Sequence, residues 1–157
     1  MNPSDELYMR RVLELAELGY GMVNPNPMVG CVIVKGNQII GEGWHQSYGE
    51  AHAERNAVER VQNQEDIIGS TVYVNLEPCS HFGKTPPCSD LLIRHRVKRV
   101  VISNIDPNPL VDGVGIRRMR EAGIEVDIGI LQEEGEQLNR SFFQQMTARI
   151  RSGSVPH

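Results

Sequence analysis

Two short segments carry residue types that can hold a metal ion beside a proton-transfer group. One is His-Ala-Glu at 52–54, and the other has two cysteines, Cys79 and Cys88, with eight residues between them. One imidazole and two thiolates form the ligand set of a catalytic zinc site that keeps its fourth position for water. Zinc lowers the pKa of that water, and a carboxylate that is not a ligand can move its protons. The pattern predicts a zinc-dependent hydrolytic deaminase, with His52, Cys79 and Cys88 as ligands and Glu54 as the proton shuttle.

The signature of zinc nucleobase deaminases, H-x-E followed by P-C-x-x-C, agrees with this order of residues but has a shorter cysteine spacing. A structural zinc would instead need a fourth protein ligand. The available fourth ligands are His81 and Cys31, and Cys31 is expected to be a core residue because its strand is nearly all apolar. His52 and Glu54 can face one metal only where a helix begins, since residues two apart point in nearly opposite directions along a regular helix.

The elements that position these residues alternate between helices and strands. Helices are predicted over about 5–20, 51–61, 89–96, 116–122 and 132–149, with Asp5 expected to cap the first. Strands are predicted over 28–35, 38–44, 71–76, 99–103 and 124–128, the first two joined by a turn at Gly36-Asn37. The alternation is typical of an α/β layer fold with a partly parallel sheet.

The composition fits one compact domain and excludes several classes of partner. The chain has 157 residues and a net charge of −4, which argues against a protein that binds nucleic acid through its phosphates. No apolar run approaches the ~20 residues that span a bilayer, and the N-terminus lacks the pattern of a signal peptide. Three cysteines do not form a disulfide framework. We therefore expect a cytoplasmic protein with reduced thiols that binds neither membrane nor nucleic acid.

The sequence resembles the diaminohydroxyphosphoribosylaminopyrimidine deaminases of riboflavin biosynthesis over about residues 5–145. The matching segments are Asn-Pro-Asn-Pro-Met-Val-Gly at 24–30, Gly-Glu-Gly-Trp-His at 41–45, His-Ala-Glu at 52–54, the stretch from Leu76 to Cys88, and Asp-Pro-Asn-Pro at 106–109. The stretch from Leu76 to Cys88 is more specific than the general deaminase signature, and it accounts for the long cysteine spacing.

The resemblance implies a three-layer cytidine deaminase-like fold, with helices on both faces of a mixed five-stranded sheet. It implies hydrolysis of the 2-amino group of 2,5-diamino-6-(5-phosphoribosylamino)pyrimidin-4(3H)-one, with release of ammonia. It also implies the same roles for the zinc ligands and Glu54. The residues that it places around the substrate are Asn24, His45, His81 and Lys84, with Lys84 at the anionic end.

In this family the chain normally continues into a reductase domain. Because the sequence ends at His157, we expect a deaminase domain over 1–148, a tail over 149–157 and no reductase domain. A separate reductase partner and a homo-oligomer both remain open. Leu138, Phe142, Phe143 and Met146 on the last helix are candidates for an oligomer contact.

Two alternatives share some of these features. A deaminase of another nucleobase or nucleoside, including a base in tRNA, would use the same chemistry, but it usually has the short cysteine spacing and a basic surface for RNA. A non-catalytic zinc module that partners a reductase would have no need of a general base, so Glu54 argues against it.

Overall fold

The computed structural model describes residues 3–80, 86–108 and 112–153, which form a mixed sheet with helices on both faces. The strands are β1 Gly30–Lys35, β2 Gln38–Trp44, β3 Thr71–Leu76, β4 Arg99–Asn104 and β5 Glu125–Ile128. The helices are α1 Pro3–Glu17, α2 Ala53–Glu59, α3 Cys88–Arg94, α4 Val114–Glu121, α5 Gln132–Leu138 and α6 Arg140–Ser152, with a 3₁₀ turn at Gln64–Ile67. None of the helices in these described ranges is long and apolar enough to cross a bilayer.

The five strands lie in the order β2-β1-β3-β4-β5. β1 is antiparallel to both β2 and β3, whereas β3, β4 and β5 are parallel. The predicted three-layer fold and its partly parallel sheet are thereby confirmed. Because β3 and β4 run in the same direction, the segments that follow them emerge at the same edge of the sheet. These two segments carry Cys79 and Asp106, and this edge holds the candidate site.

β1 is buried along nearly its whole length, and its side chains alternate between the two faces of the sheet. Cys31 and Ile33 pack into the larger apolar cluster, beneath α2, α3 and α4. Val32 and Val34 pack into a second cluster on the opposite face, beneath α1. A strand buried on both faces reads as an unbroken apolar run, as the sequence predicted. The prediction that Cys31 is a core residue is also confirmed, since it is fully buried.

Asp5 does not cap α1, because α1 begins at Pro3 and Asp5 lies within its first turn. Its side chain is fully buried against the sheet. The carboxylate accepts two hydrogen bonds of 2.8 Å from Arg99 and one of 2.6 Å from the Tyr73 hydroxyl. Arg99 also donates to Asp127 over 2.7 Å. The capping prediction was wrong because a buried carboxylate needs charged and hydroxyl donors, and these lie on the neighbouring strands.

Glycine lets α2 lie directly on β2. A Cβ added at Gly43 would stand 2.4 Å from the backbone nitrogen of Ala57 and 2.7 Å from the carbonyl oxygen of Ala53. These distances are far below van der Waals contact, so any larger residue would push the helix away. The close packing fixes the start of α2, where His52 and Glu54 lie.

The predicted helix over 132–149 is two helices, because the chain breaks at Asn139. This residue has φ −108° and ψ 33°, and its buried side chain bonds to the backbone of Met28 rather than facing solvent. The second of the two helices, α6, continues to Ser152, so the tail predicted from residue 149 begins inside a helix.

Candidate metal centre and active-site cavity

The three predicted zinc ligands come from the ends of three elements. His52 is the N-cap of α2 and has an extended backbone (φ −72°, ψ 164°). Cys79 lies in the loop after β3, and Cys88 is the first residue of α3. The backbone nitrogen of Ser89 donates to the carbonyl oxygen of Cys79 over 3.0 Å, which brings the two ends of the cysteine segment together. Because His52 precedes the regular helix, its ring and the Glu54 carboxylate reach the same cavity, as predicted.

The donor atoms of these ligands have the spacing that zinc requires. His52 Nδ1 lies 3.7 Å from Cys79 Sγ and 3.5 Å from Cys88 Sγ. Tetrahedral zinc, with bonds of about 2.3 Å to sulfur and 2.0 Å to nitrogen, holds a nitrogen and a sulfur ligand about 3.5 Å apart. All three donor atoms lie within 4.8 Å of one another. The set therefore fits a zinc ion without rearrangement.

Cys79 and Cys88 differ in pKa. Hydrogen bonds from the Cys88 side chain and backbone lower the pKa of Cys79 to about 4, and the Cys88 nitrogen lies 3.2 Å from Cys79 Sγ. The same interaction, together with burial, raises the pKa of Cys88 well above its usual value. The hydrogen bond to Cys79 raises the pKa of His52 to about 8. For the metal-free site at neutral pH, these shifts predict a thiolate at Cys79, a thiol at Cys88 and an imidazolium at His52.

Glu54 has the environment of a general base. It is buried, and burial raises its pKa to about 7, while the nearby His52 charge opposes this rise. A carboxyl group whose pKa lies near the working pH can both accept and deliver a proton. It lines the same cavity as His52 and Cys79.

Arg55 places a positive charge beside the ligands. Its Nη2 atom is buried and has no hydrogen-bond partner among the described residues. Its charge acts to lower the pKa of both His52 and Cys88, so it partly offsets the rise that their other neighbours cause. Arg55 thus favours the deprotonated forms in which these side chains bind a metal.

The ligands open into a cavity of about 270 Å³. It is lined by the predicted zinc ligands His52 and Cys79, by Glu54, and by Asn26, Pro27, Val29, His45, Ala53, Leu76, Glu77, Asp106, Asn108, Phe142 and Met146. The lining combines apolar side chains with polar groups, so the space suits a flat heterocycle with polar edges.

His45, which the sequence predicted to contact substrate, lies in this cavity with its ring held in place. Its Nδ1 lies 3.1 Å from the carbonyl oxygen of Ala51 and donates a hydrogen bond to it. Nε2 can then accept from the Asn26 side chain, 3.2 Å away. Burial lowers the pKa of His45, so the ring is neutral at pH 7. Its edge faces the His52 ring, with 5.6 Å between centroids.

Asn24 is exposed and lines a neighbouring cavity instead. Asn26, two residues later in the same Asn-Pro repeat, faces the metal cavity, and sequence reasoning did not select it. The repeat offers two asparagines with nothing local to distinguish them. Two further residues predicted to bind substrate, His81 and Lys84, lie outside the described residues. The substrate contacts of Asn24, His81 and Lys84 therefore stay predictions.

Glu77 binds the loop after β4, which forms part of the cavity wall. Its carboxylate accepts from the backbone nitrogens of Asp106 (3.3 Å), Gly113 (3.0 Å), Gly115 (3.1 Å) and Ile116 (3.4 Å). These bonds tie the start of α4 and the loop after β4 to the segment that carries Cys79. Sequence reasoning had no signal for this role, because every partner is a backbone group.

Helix α6 supplies two apolar side chains to the lining of the cavity. Phe142 and Met146, one turn apart, both line the cavity. From sequence they were assigned to an oligomer contact, since a single helical face does not reveal what it packs against. That contact stays a prediction.

Comparison with known proteins identifies the family to which this chain belongs. The profile described as the cytidine and deoxycytidylate deaminase zinc-binding region matches residues 2–104. The diaminohydroxyphosphoribosylamino-pyrimidine deaminase of Buchnera aphidicola subsp. Schizaphis graminum is 50% identical over 142 residues, which cover 90% of this chain and 95% of that protein. Riboflavin biosynthesis protein RibD of Escherichia coli is 53% identical over 142 residues, but the chain spans only 38% of its length.

A solved structure shows the same relationship. The chain aligns with a diaminohydroxyphosphoribosylaminopyrimidine deaminase/5-amino-6-(5-phosphoribosylamino)uracil reductase from Thermotoga maritima with a TM-score of 0.88 and 48% identity. The alignment covers 92% of this chain and 42% of that protein. That protein is named as both a deaminase and a reductase.

Proposed function

Because this chain belongs to the cytidine and deoxycytidylate deaminase family and, within it, to the diaminohydroxyphosphoribosylaminopyrimidine deaminases, we propose that it catalyses their step in riboflavin biosynthesis. The substrate is 2,5-diamino-6-(5-phosphoribosylamino)pyrimidin-4(3H)-one. Water replaces its 2-amino group, which gives ammonia and 5-amino-6-(5-phosphoribosylamino)uracil. The observation that carries the proposal is a buried Glu54 beside three donor atoms with zinc spacing, in a chain half identical to a named deaminase.

His52, Cys79 and Cys88 would hold the metal, and Arg55 balances part of the thiolate charge. When bound, zinc supplies a water of lowered pKa at its open fourth position. The thiolate that Cys79 already carries, and its tie to the Cys88 backbone, organise the ligand set before the metal arrives.

Glu54 moves the protons of the reaction. Its carboxylate takes one proton from water as oxygen adds to C2 of the pyrimidine, and it delivers that proton to ring nitrogen N1 as the C2=N1 double bond becomes single. The second proton from the water passes through the same carboxylate to the departing amine, so that ammonia leaves as the C2–N bond breaks. Burial keeps the pKa of Glu54 near neutrality, which allows both transfers.

The substrate contacts are assigned by position. His45 is neutral and held by Ala51, so its ring can bind the edge of the heterocycle. Asn24 and His81 are proposed as further polar contacts. Lys84 is proposed to meet the phosphate end as a point charge.

The two alternatives lack comparable support. Deamination of a base in RNA favours a basic surface, whereas the net charge is −4. A purely structural zinc module gains nothing from a buried carboxylate aimed at the ligands, because burying it costs free energy.

Several broader features follow from the same assignment. We propose a cytoplasmic site of action, since two ligands must stay reduced thiols and all three cysteines are free. Residues 1–148 are proposed to act as one deaminase domain. A reductase would consume the product, either in a longer relative or as a separate partner. A homo-oligomer is a further proposal.

The test is ammonia release with zinc-loaded protein and equal concentrations of the proposed substrate, cytidine and deoxycytidylate. We expect turnover of the diaminopyrimidinone ribosyl phosphate and a kcat/KM at least about a hundredfold lower for the other two compounds. Equal or faster turnover of cytidine or deoxycytidylate would overturn the assignment.

A further inference from the structure

The aromatic ring of Phe142 lines the metal cavity, although Phe142 lies in α6, far along the chain from every residue of the metal centre. We propose that Phe142 is a specificity-determining residue, whose ring packs against the face of the substrate's pyrimidine and holds it over the metal centre. The inference rests on the proposed function and adds to it a contact that the ligand set and the general base do not provide.

The position of Phe142 is fixed by Asn139, three residues before it. Asn139 Nδ2 donates to the carbonyl oxygen of Met28 over 2.8 Å, and its Oδ1 accepts from the Met28 nitrogen over 2.7 Å. Asn75 donates to the same carbonyl over 3.0 Å. These bonds join the start of α6 to the segment beside β1 across 111 residues of sequence. The start of the helix that carries Phe142 is therefore anchored by buried polar contacts.

The cavity is lined by both apolar and polar side chains. Val29, Ala53 and Leu76 supply apolar surface, while Asn26 and His45 supply polar groups. A pyrimidine ring has two apolar faces and a polar rim, so its outer face needs an apolar partner. Phe142 is the one aromatic carbocycle among the described residues that line the cavity, and it is half-buried, with surface left to bind a ring.

The part of the chain that matches the family profile does not include the helix that carries Phe142. The zinc-binding region shared by cytidine and deoxycytidylate deaminases matches residues 2–104 and includes every metal ligand and Glu54. Phe142 lies beyond that region. A wall added outside the shared part is suited to choosing the substrate rather than to performing the chemistry.

The neighbouring Phe143 gives a matched control. It lies on the same helix with its ring centroid 5.6 Å from that of Phe142, but it faces a separate surface cavity together with Gln144 and Thr147. Replacing either phenylalanine by leucine keeps an apolar side chain of similar size, so both variants should fold. Only Phe142→Leu removes an aromatic face from the metal cavity.

The experiment measures kcat, KM, zinc content and Tm for the wild type, Phe142→Leu and Phe143→Leu with the diaminopyrimidinone ribosyl phosphate. Phe142→Leu should raise KM about tenfold, the effect of losing one ring-stacking contact. Its kcat should stay within about twofold, because uniform binding is lost without a change in chemistry. Phe143→Leu should leave both constants within about twofold.

Three results would contradict these expectations in different ways. An unchanged KM in Phe142→Leu, with an active wild type, overturns the inference alone. So does an equal rise in KM for both variants, accompanied by a lower Tm, since it would show that the two rings merely support α6. A zinc-loaded wild type that releases no ammonia overturns the proposed function, and this inference with it.

Discussion

At the scale of single residues, the metal-free centre divides its protons unevenly, and this division predicts how zinc binding depends on pH. With pKa values of about 8 for His52 and well above 9 for Cys88, both are protonated at pH 7, whereas Cys79, with a pKa of about 4, is already a thiolate. Zinc needs all three deprotonated. Binding at pH 7 should therefore release about two protons, and only about one above pH 9.

The raised pKa values determine the direction in which zinc affinity changes with pH. As pH falls below about 8, protons compete for His52 and Cys88, so zinc affinity should fall about a hundredfold per pH unit. Calorimetry in buffers of different ionisation enthalpy counts the released protons. Release of only about one proton at pH 7, the one from His52, would show that Cys88 is already a thiolate before zinc binds.

Because Glu54 is proposed to carry the proton transfers, Glu54→Gln should keep the fold and the zinc but lower kcat by at least about 10²-fold. An amide has nearly the same shape as the carboxylate but cannot accept the proton. Glu59→Gln is the control, since Glu59 lies exposed on the same helix. Ammonia release and zinc content would be measured together, and near-normal turnover in zinc-loaded Glu54→Gln would disprove the proton path.

At the scale of elements, the contact of β2 with α2 determines where His52 and Glu54 stand. Gly43→Ala should destabilise the fold by about 3 kcal/mol and lower activity, because the new methyl group would displace α2. Glu42→Ala, at the next residue, loses only a partly exposed ion pair with Arg11 and should cost less than about 1 kcal/mol. Urea unfolding compares the two, and equal losses would show that α2 tolerates the methyl group.

Sequence patterns predicted most elements because each had a local cause. The hairpin turn at Gly36-Asn37 has positive φ at both residues (56° and 66°), the conformation that this residue pair favours. The strand over 71–76 was predicted with its observed bounds, since β-branched residues end there at Glu-Pro. The helix break at Asn139 was missed, because its cause is the backbone of Met28, far away in the sequence.

The residues of the candidate site also fall into two groups, those that could be predicted from local sequence and those that could not. The predicted metal ligands and Glu54 could be selected from sequence because their residue types, order and spacing are themselves the signal, and the structure brings the three ligand side chains together. Asn26, Glu77 and Phe142 could not, because their types are common and their roles arise only when distant segments meet. A glutamate whose partners are backbone nitrogens leaves no trace in the sequence.

At the scale of the whole molecule, the buried ion-pair network and the metal centre lie at opposite ends of the parallel strands. The buried network of Asp5 and Arg99 lies where β4 begins, whereas the metal centre lies where β3 ends. Asp5→Asn should cost about 3 kcal/mol of unfolding free energy, because it leaves the buried Arg99 with one carboxylate instead of two.

The same variant should keep the wild-type kcat and KM at temperatures where it stays folded. Glu6→Gln provides the comparison, because its exposed pair with Arg10 should contribute less than about 1 kcal/mol. Denaturant unfolding and steady-state kinetics would be measured on the same samples. A large fall in kcat for folded Asp5→Asn would show that the two ends are coupled.

The central claim is that this chain deaminates the diaminopyrimidinone ribosyl phosphate with zinc held by His52, Cys79 and Cys88. The most direct measurement is ammonia release before chelation, after chelation, and during stepwise return of zinc. We predict that chelation abolishes release and that activity returns in proportion to zinc, with a plateau at one ion per chain. Full activity in protein shown to be zinc-free, or no activity in fully zinc-loaded protein, would contradict the account.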